Sequence, residues 1–352
     1  MVSAIGLEAA PTLCEFRRQI HEAEDTASRY EVSAYDLELY PNGTLGVKAK
    51  AVQGQFLLTD EGLGDLARLT EIPAPYFGDC DPELRALSFN RRLRKKVPAE
   101  KPLQIVLREG SVYSVSDRNL LAAPRGPILD SISDSIPKGL VERDLRVIAH
   151  RWNGTFDISV IAPSLTCAPR KGDIVAFGVN TSEARDGAIQ VQGAAFRCVC
   201  SNGAVCRVCD GRQHRLRRPI NRPERQRKFL QRITALASEA WRQWTENADG
   251  LVRLEQSSLE PDYRAALRSR LRQAPFFLSV NVVNRLLQRL ENEVTGHQEG
   301  PSLYDLWNAM TYLGTHEGQL SLPHRFRLRI GAGEFTRNKS RFCSYCRQLL
   351  IS

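Results

Sequence analysis

The chain changes character once. From residue 103 to residue 200 it is a series of short Val- and Ile-rich runs, LQIVLRE, SVYSVSD, RDLRVIAHRW, TFDISVIAP, GDIVAFGVNTS and AIQVQGAAFRCVC, separated by Gly, Pro, Asp and Asn. Such runs read as strands. From residue 223 the apolar spacing becomes helical. Phe229, Ile233, Leu236, Ala240 and Trp244 fall on one stripe of a helix expected over 223–249. Further helices are expected over 259–271, 280–294 and 302–315, the last opened by Ser302 and Asp305. Strands followed by helices restrict the fold to the α+β class. The expectation is a mostly antiparallel sheet with flanking helices, followed by a helical C-terminal lobe.

Ahead of the strand runs, Leu13, Phe16, Ile20 and Ala23 predict a helix over 11–27. Residues 28–58 alternate as strands around the turn Pro41-Asn42-Gly43. Thr59 is placed to cap a helix in TDEGLGDLARLT, and residues 72–77 break it. The next helix, PELRALSFNRRLRKK, ends in Arg91, Arg92, Arg94, Lys95 and Lys96. Cations at a helix C-terminus suit the macrodipole, so this end reads equally as a solvated terminus or a phosphate contact.

The switch itself lies in residues 196–228. Four cysteines, Cys198, Cys200, Cys206 and Cys209, precede the densest positive charge of the chain. Ten Arg or Lys between 197 and 228 face only Asp210 and Glu224, so this stretch holds nearly the whole formal charge of +9. The expected organisation is an α+β scaffold at 1–205, a Cys/Arg-rich junction at 206–228 and a helical lobe with a CxxC tail at 229–352.

A chain of 352 residues, 42% hydrophobic, can bury a core without disulfides. No run of eighteen apolar residues occurs, so no membrane-spanning helix is expected. The N-terminus lacks the charged and apolar regions of a signal peptide. The expected compartment is the cytoplasm, where the nine cysteines are reduced. A sequence pI near 9.2, with the charge clustered, points to a polyanionic partner, and nucleic acid is the usual one.

Cys206-Arg-Val-Cys209 and Cys343-Ser-Tyr-Cys346 both have the CxxC spacing that presents two thiolates to one tetrahedral ion. Together they would form an all-sulfur, structural zinc site tying the junction to the C-terminal tail. Alternative ligand sets use Cys198, Cys200 or His214 with Cys206 and Cys209. Cys198 and Cys200 also fit as core residues of a strand. The basic run offers Arg207, Arg212, Arg215, Arg217, Arg218, Arg222, Arg225, Arg227 and Lys228 to phosphates, with Arg91, Arg92, Arg94 and Lys95 as a second group. Arg predominates, and its planar fork bonds phosphate oxygens in pairs. No aromatic residue interleaves with the run, and it can equally be a solvated linker.

No P-loop, GxSxG, HExxH or dinucleotide fingerprint is present, and no catalytic residue is assigned. Asp117, Asp173 and Glu183 are the carboxylates that would have to converge in a metal-dependent nuclease.

Five blocks, in order, resemble one family. They are TDEGLGDLARLTEIPAPYF, SVYSVSDRNLLAAP with Ser116-Asp117-Arg118, the block from Gly172 and Asp173 through Gly178 to Asn180, Thr181, Ser182 and Glu183, FRCVCSNGAV with Arg197, Cys200, Asn202 and Gly203, and LYDLWNAMTYLGTH with Asn308, Ala309 and Thr311. The resemblance is to the phage/plasmid-like protein family, which shares a domain of unknown function. It implies a setting among mobile elements and, by association, DNA metabolism or host–element conflict. Of the four cysteines only Cys200 sits on its common block; Cys198, Cys206, Cys209 and the basic run after them lie outside its pattern, as do Cys343 and Cys346.

The reading that follows is a cytoplasmic, non-enzymatic protein that holds the phosphate backbone of nucleic acid, DNA and preferably single-stranded DNA, through residues 207–228. A phage or host protein and self-association are the other partners expected, and no membrane. The alternatives are a protein-interaction module in phage/plasmid–host conflict and the metal-dependent nuclease.

Overall fold

The structure is a computed structural model. It describes residues 5–72, 80–117, 125–152, 155–183, 188–198, 204–208, 215–216, 223–259, 263–272, 278–293 and 300–317, with residues 320, 325, 328, 329, 331 and 332 of the C-terminal stretch.

The fold is α+β, but the strands divide between two sheets instead of forming one. The first sheet comprises β1 (Ser28–Ser33), β2 (Leu37–Leu39), β3 (Thr44–Ala49), β4 (Val52–Leu58), β5 (Pro102–Arg108) and β6 (Ser111–Asp117), in the order β1-β5-β6-β4-β3-β2. Its neighbours are antiparallel except β4 and β6, which run parallel where Leu57 meets Ser111 and Leu58 meets Val112. Two runs thus leave the expected continuous sheet and join the N-terminal strands.

Local sequence accounts for several joints of this sheet. Gly43 closes the expected turn at φ 83°, and the Asn42 side chain accepts from the Thr44 amide at 3.1 Å. Leu103, Ile105 and Leu107 alternate inward along β5. A short turn, α1 (Ile5–Glu8), and α2 (Leu13–Asp25) open the chain, while α3 (Asp60–Leu69) and α4 (Pro82–Lys96) cover the first sheet. Thr59 caps α3 by accepting from the Gly62 amide at 3.2 Å, and its own amide bonds Val112 O at 3.1 Å. A β-carbon at Gly62 would meet Val112 O at 2.5 Å, so glycine lets the helix sit this close to β6.

The second sheet comprises β7 (Arg146–Trp152), β8 (Thr155–Arg170), β9 (Asp173–Glu183), β10 (Ile189–Arg197), β11 (Ala204–Val208) and β12 (Arg215–Leu216). The order is β11-β10-β9-β8-β7, with β12 also on β10, and every pairing is antiparallel. β8 runs past Pro163, because a register shift between Ala162 and Thr166 takes the proline out of the ladder. At Gly178 a β-carbon would stand 1.9 Å from Val160 O, so a side chain there would force β8 and β9 apart.

Helices cover this sheet in two groups. Ile158, Val160, Val179 and Val191 pack with α2, α5 (Arg125–Ser133) and α6 (Pro223–Arg242), through Leu13, Ile128, Ile132, Phe229, Ile233 and Trp241. Val175, Phe177 and Ala195 pack with α7 (Trp244–Glu255), α8 (Tyr263–Arg270), α9 (Val280–Glu293) and α10 (Leu303–His316). The helical region after residue 229 thus packs on the second sheet through Val175, Phe177 and Ala195. The helix expected over 223–249 breaks at Gln243. The sequence gives no sign of α5, because RGPILDSIS shows no single apolar stripe. The expected cap of α10 is present: Ser302 and Asp305 form a reciprocal capping box. No helix of the described residues is long and apolar enough to cross a membrane.

Candidate functional site

Two described parts of the Cys/Arg-rich stretch lie along one strand, and a third opens α6. β11 pairs with β10 from Arg197↔Ala204 to Gly193↔Val208, and β12 pairs further along the same strand, Gln190↔Arg215 and Ile189↔Leu216. Cys206 stands opposite Ala195 and Arg207 opposite Ala194. Between the two pieces β10 advances three positions while the other chain advances seven, from 208 to 215. α6 then crosses β9 and β10. Its buried stripe, Phe229, Ile233, Leu236 and Trp241, leaves Arg225, Arg227, Lys228 and Arg232 exposed. Lys228 pairs with Glu224 at 3.0 Å on the surface. Arg207, Arg215, Arg225, Arg227 and Lys228 thus belong to elements that share β10. Arg212, Arg217, Arg218, Arg222, Cys209, Cys343 and Cys346 lie outside the described residues, as does Cys200. Cys198 packs against the cluster of Leu7, Ile161 and Phe196, as a core residue would.

The second basic group belongs to the other sheet. α4 packs on β2 and α3, with Arg91, Arg94 and Lys95 exposed. Arg92 is committed locally: its Nη1 donates to Glu71 O at 3.0 Å and Thr70 O at 3.4 Å, closing the C-terminus of α3.

The carboxylates named for a nuclease do not gather. Asp173 opens β9 and Glu183 closes it, ten residues apart, which along a strand is roughly 33 Å. Asp173 is held by Arg197, with Nε 3.0 Å from each carboxylate oxygen and Nη2 at 2.8 Å. Asp117 ends β6 in the first sheet.

The residues of the N-T-S-E block instead help form a buried polar seam where the sheets meet. Asn180 Nδ2 donates to Asp157 Oδ1 at 2.5 Å and to Ser159 Oγ at 2.9 Å, and Asn180 and Ser159 are both fully buried. Glu183 faces Arg68 Nη1 of α3 at 3.6 Å. Arg68 Nη2 in turn bonds Asp65 at 2.7 Å, and Asp65 also accepts from Ser114 Oγ at 2.6 Å and the Val115 amide at 3.1 Å. Burial pushes the Asp65 carboxyl up to about 6, against the pull of Arg68, Ser114 and Val115 and with added repulsion from Glu183. A group that changes charge near neutral pH can take up or release a proton under ordinary conditions. Reasoning from sequence misses Asp65 and Arg68 as a pair. The signal on offer is an aspartate inside the otherwise apolar face Leu63, Leu66, Ala67 of a helix.

Comparison with family models, with characterised proteins and with solved structures finds no match for this chain.

Proposed function

We propose that this protein binds nucleic acid through its phosphate backbone, with the β11–β12 edge and the first turns of α6 as the contact. One observation carries the reading: Arg207 and Arg215 lie on short strands paired with β10, and Arg225, Arg227 and Lys228 lie on the helix that packs against it. Backbone contacts of this kind give affinity without sequence readout. Single-stranded DNA is the preferred ligand of the proposal. The ordered blocks that resemble the phage/plasmid-like family support a setting among mobile elements. Cys206 with Cys209, Cys343 and Cys346 would clamp the same edge through a structural zinc ion. Near-stoichiometric zinc in purified protein, lost in Cys206→Ser, is the expected result, and less than about a tenth of an equivalent would remove the clamp.

The test is a titration with fluorescent single- and double-stranded oligonucleotides at two salt concentrations. Affinity should fall steeply with salt. An Arg225→Ala/Arg227→Ala/Arg232→Ala variant should bind about 10-fold more weakly at low salt. Unchanged binding by this variant would sink the proposal, and no binding by the native protein would favour the protein-interaction module.

A further inference from the structure

Helix α10 is buried on every side from Leu303 to Thr311, yet one of its stripes is polar. At 3.6 residues per turn, Tyr304, Trp307, Asn308, Thr311 and Thr315 fall within roughly 100° of one another. The stripe does not satisfy itself. Among the described residues neither Asn308 Oδ1 nor Asn308 Nδ2 has a hydrogen-bond partner, and the same holds for Trp307 Nε1 and Thr315 Oγ1. Asn308 and Trp307 are fully buried. Burial, and after it the charge of Asp173, raises the pKa of Tyr304, but its Oη and the carboxylate do not meet in hydrogen-bond geometry. Thr311 Oγ1 donates to Asn308 O at 2.9 Å, so its lone pairs are left to accept.

A primary amide has two donors and an acceptor oxygen, and burying all of them unmet is among the costlier things a core can do. The neighbouring groups offer both donors and acceptors, one helical turn apart. That is the environment a buried water occupies, making two to four bonds to otherwise unmet polar groups. We infer that the stripe is an internal hydration site, in which about two ordered waters bridge Tyr304, Asn308, Thr311 and Thr315. Water fits better than an organic ligand because α10 is enclosed by side chains of α7 and α9 and packs along β11.

Water magnetic relaxation dispersion on the native protein and on Asn308→Leu tests this. The native protein should show long-lived internal waters, and Asn308→Leu should lose at least one of them while its Tm falls by a few degrees. An unchanged water signal in a folded Asn308→Leu overturns the inference, whatever its Tm does. If that variant does not fold, Thr315→Val gives the same readout at the end of the stripe. High-resolution diffraction of the native protein supplies a check independent of any variant: no solvent density within hydrogen-bond reach of the Asn308 amide would also overturn it.

Discussion

The two ends of β9 bury the same ingredients with opposite results. At the Asp173 end, arginines reach several carboxylates at once. Arg197 holds Asp173 and approaches Glu293 at 3.6 Å. Arg170 binds Glu255 through two bonds of 2.7 Å and Asp305 through one of 2.8 Å. Its bonds to Glu255 and then Asp305 raise the Arg170 pKa despite burial. For Arg197 burial lowers the pKa, but Asp173 more than offsets it. At the Glu183 end Arg68 lies between two buried carboxylates, Asp65 and Glu183. There Asp65 holds its proton up to about pH 6. The balance between burial and the donors that reach a carboxylate decides whether it stays charged.

The largest effect should come from breaking the arginine-rich end. Arg170→Ala strands Asp305 and Glu255 between layers and should cost about 3–5 kcal/mol, read as a shift in denaturant midpoint. If it cost under about 1 kcal/mol, the contrast between the ends would fail.

The next test is pH. Asp65 has a folded pKa above its ordinary value of 3.8, so the folded state binds the extra proton between about pH 4 and pH 6. Stability from this group is present below that window and is lost as pH rises through about 6. Asp65→Asn mimics the protonated form. Its stability relative to the native protein should therefore improve by about 2 kcal/mol between about pH 4.5 and about pH 7.5. A pH-independent difference would show that Asp65 is already charged at low pH.

A smaller effect sharpens the comparison. Glu183→Gln removes the neighbouring negative charge and should lower the Asp65 titration midpoint, followed by carboxyl NMR. The smallest effect is expected at Lys96→Ala. Its pair with Glu71 is 2.6 Å long but exposed, and its loss should leave the denaturant midpoint unchanged within error.

Features set within a few residues are readable from the sequence. The Thr59 cap, the Ser302–Asp305 box and the turn at Gly43 each need only neighbours along the chain. The division into two sheets is not, because it rests on β4 pairing with β6 across the intervening helices. The strand runs carry no label for their partners. The site is readable in part. Residue types mark the basic stretch, but only pairing shows that Arg207 and Arg215 ride on β10. The seam is hidden for a similar reason, since Asp65 and Glu183 come together only through Arg68 and the approach of α3 to the second sheet.

The unequal count along β10 has an evolutionary consequence. Because β11 and β12 are each fixed by their own pairing, the chain between Val208 and Arg215 can change in length or sequence without moving the register on either side. Closing a slightly longer segment between fixed ends costs little, since the entropy grows only with the logarithm of length. Its contents, Cys209 and Arg212 included, could then be replaced while the pairing on either side stays as it is.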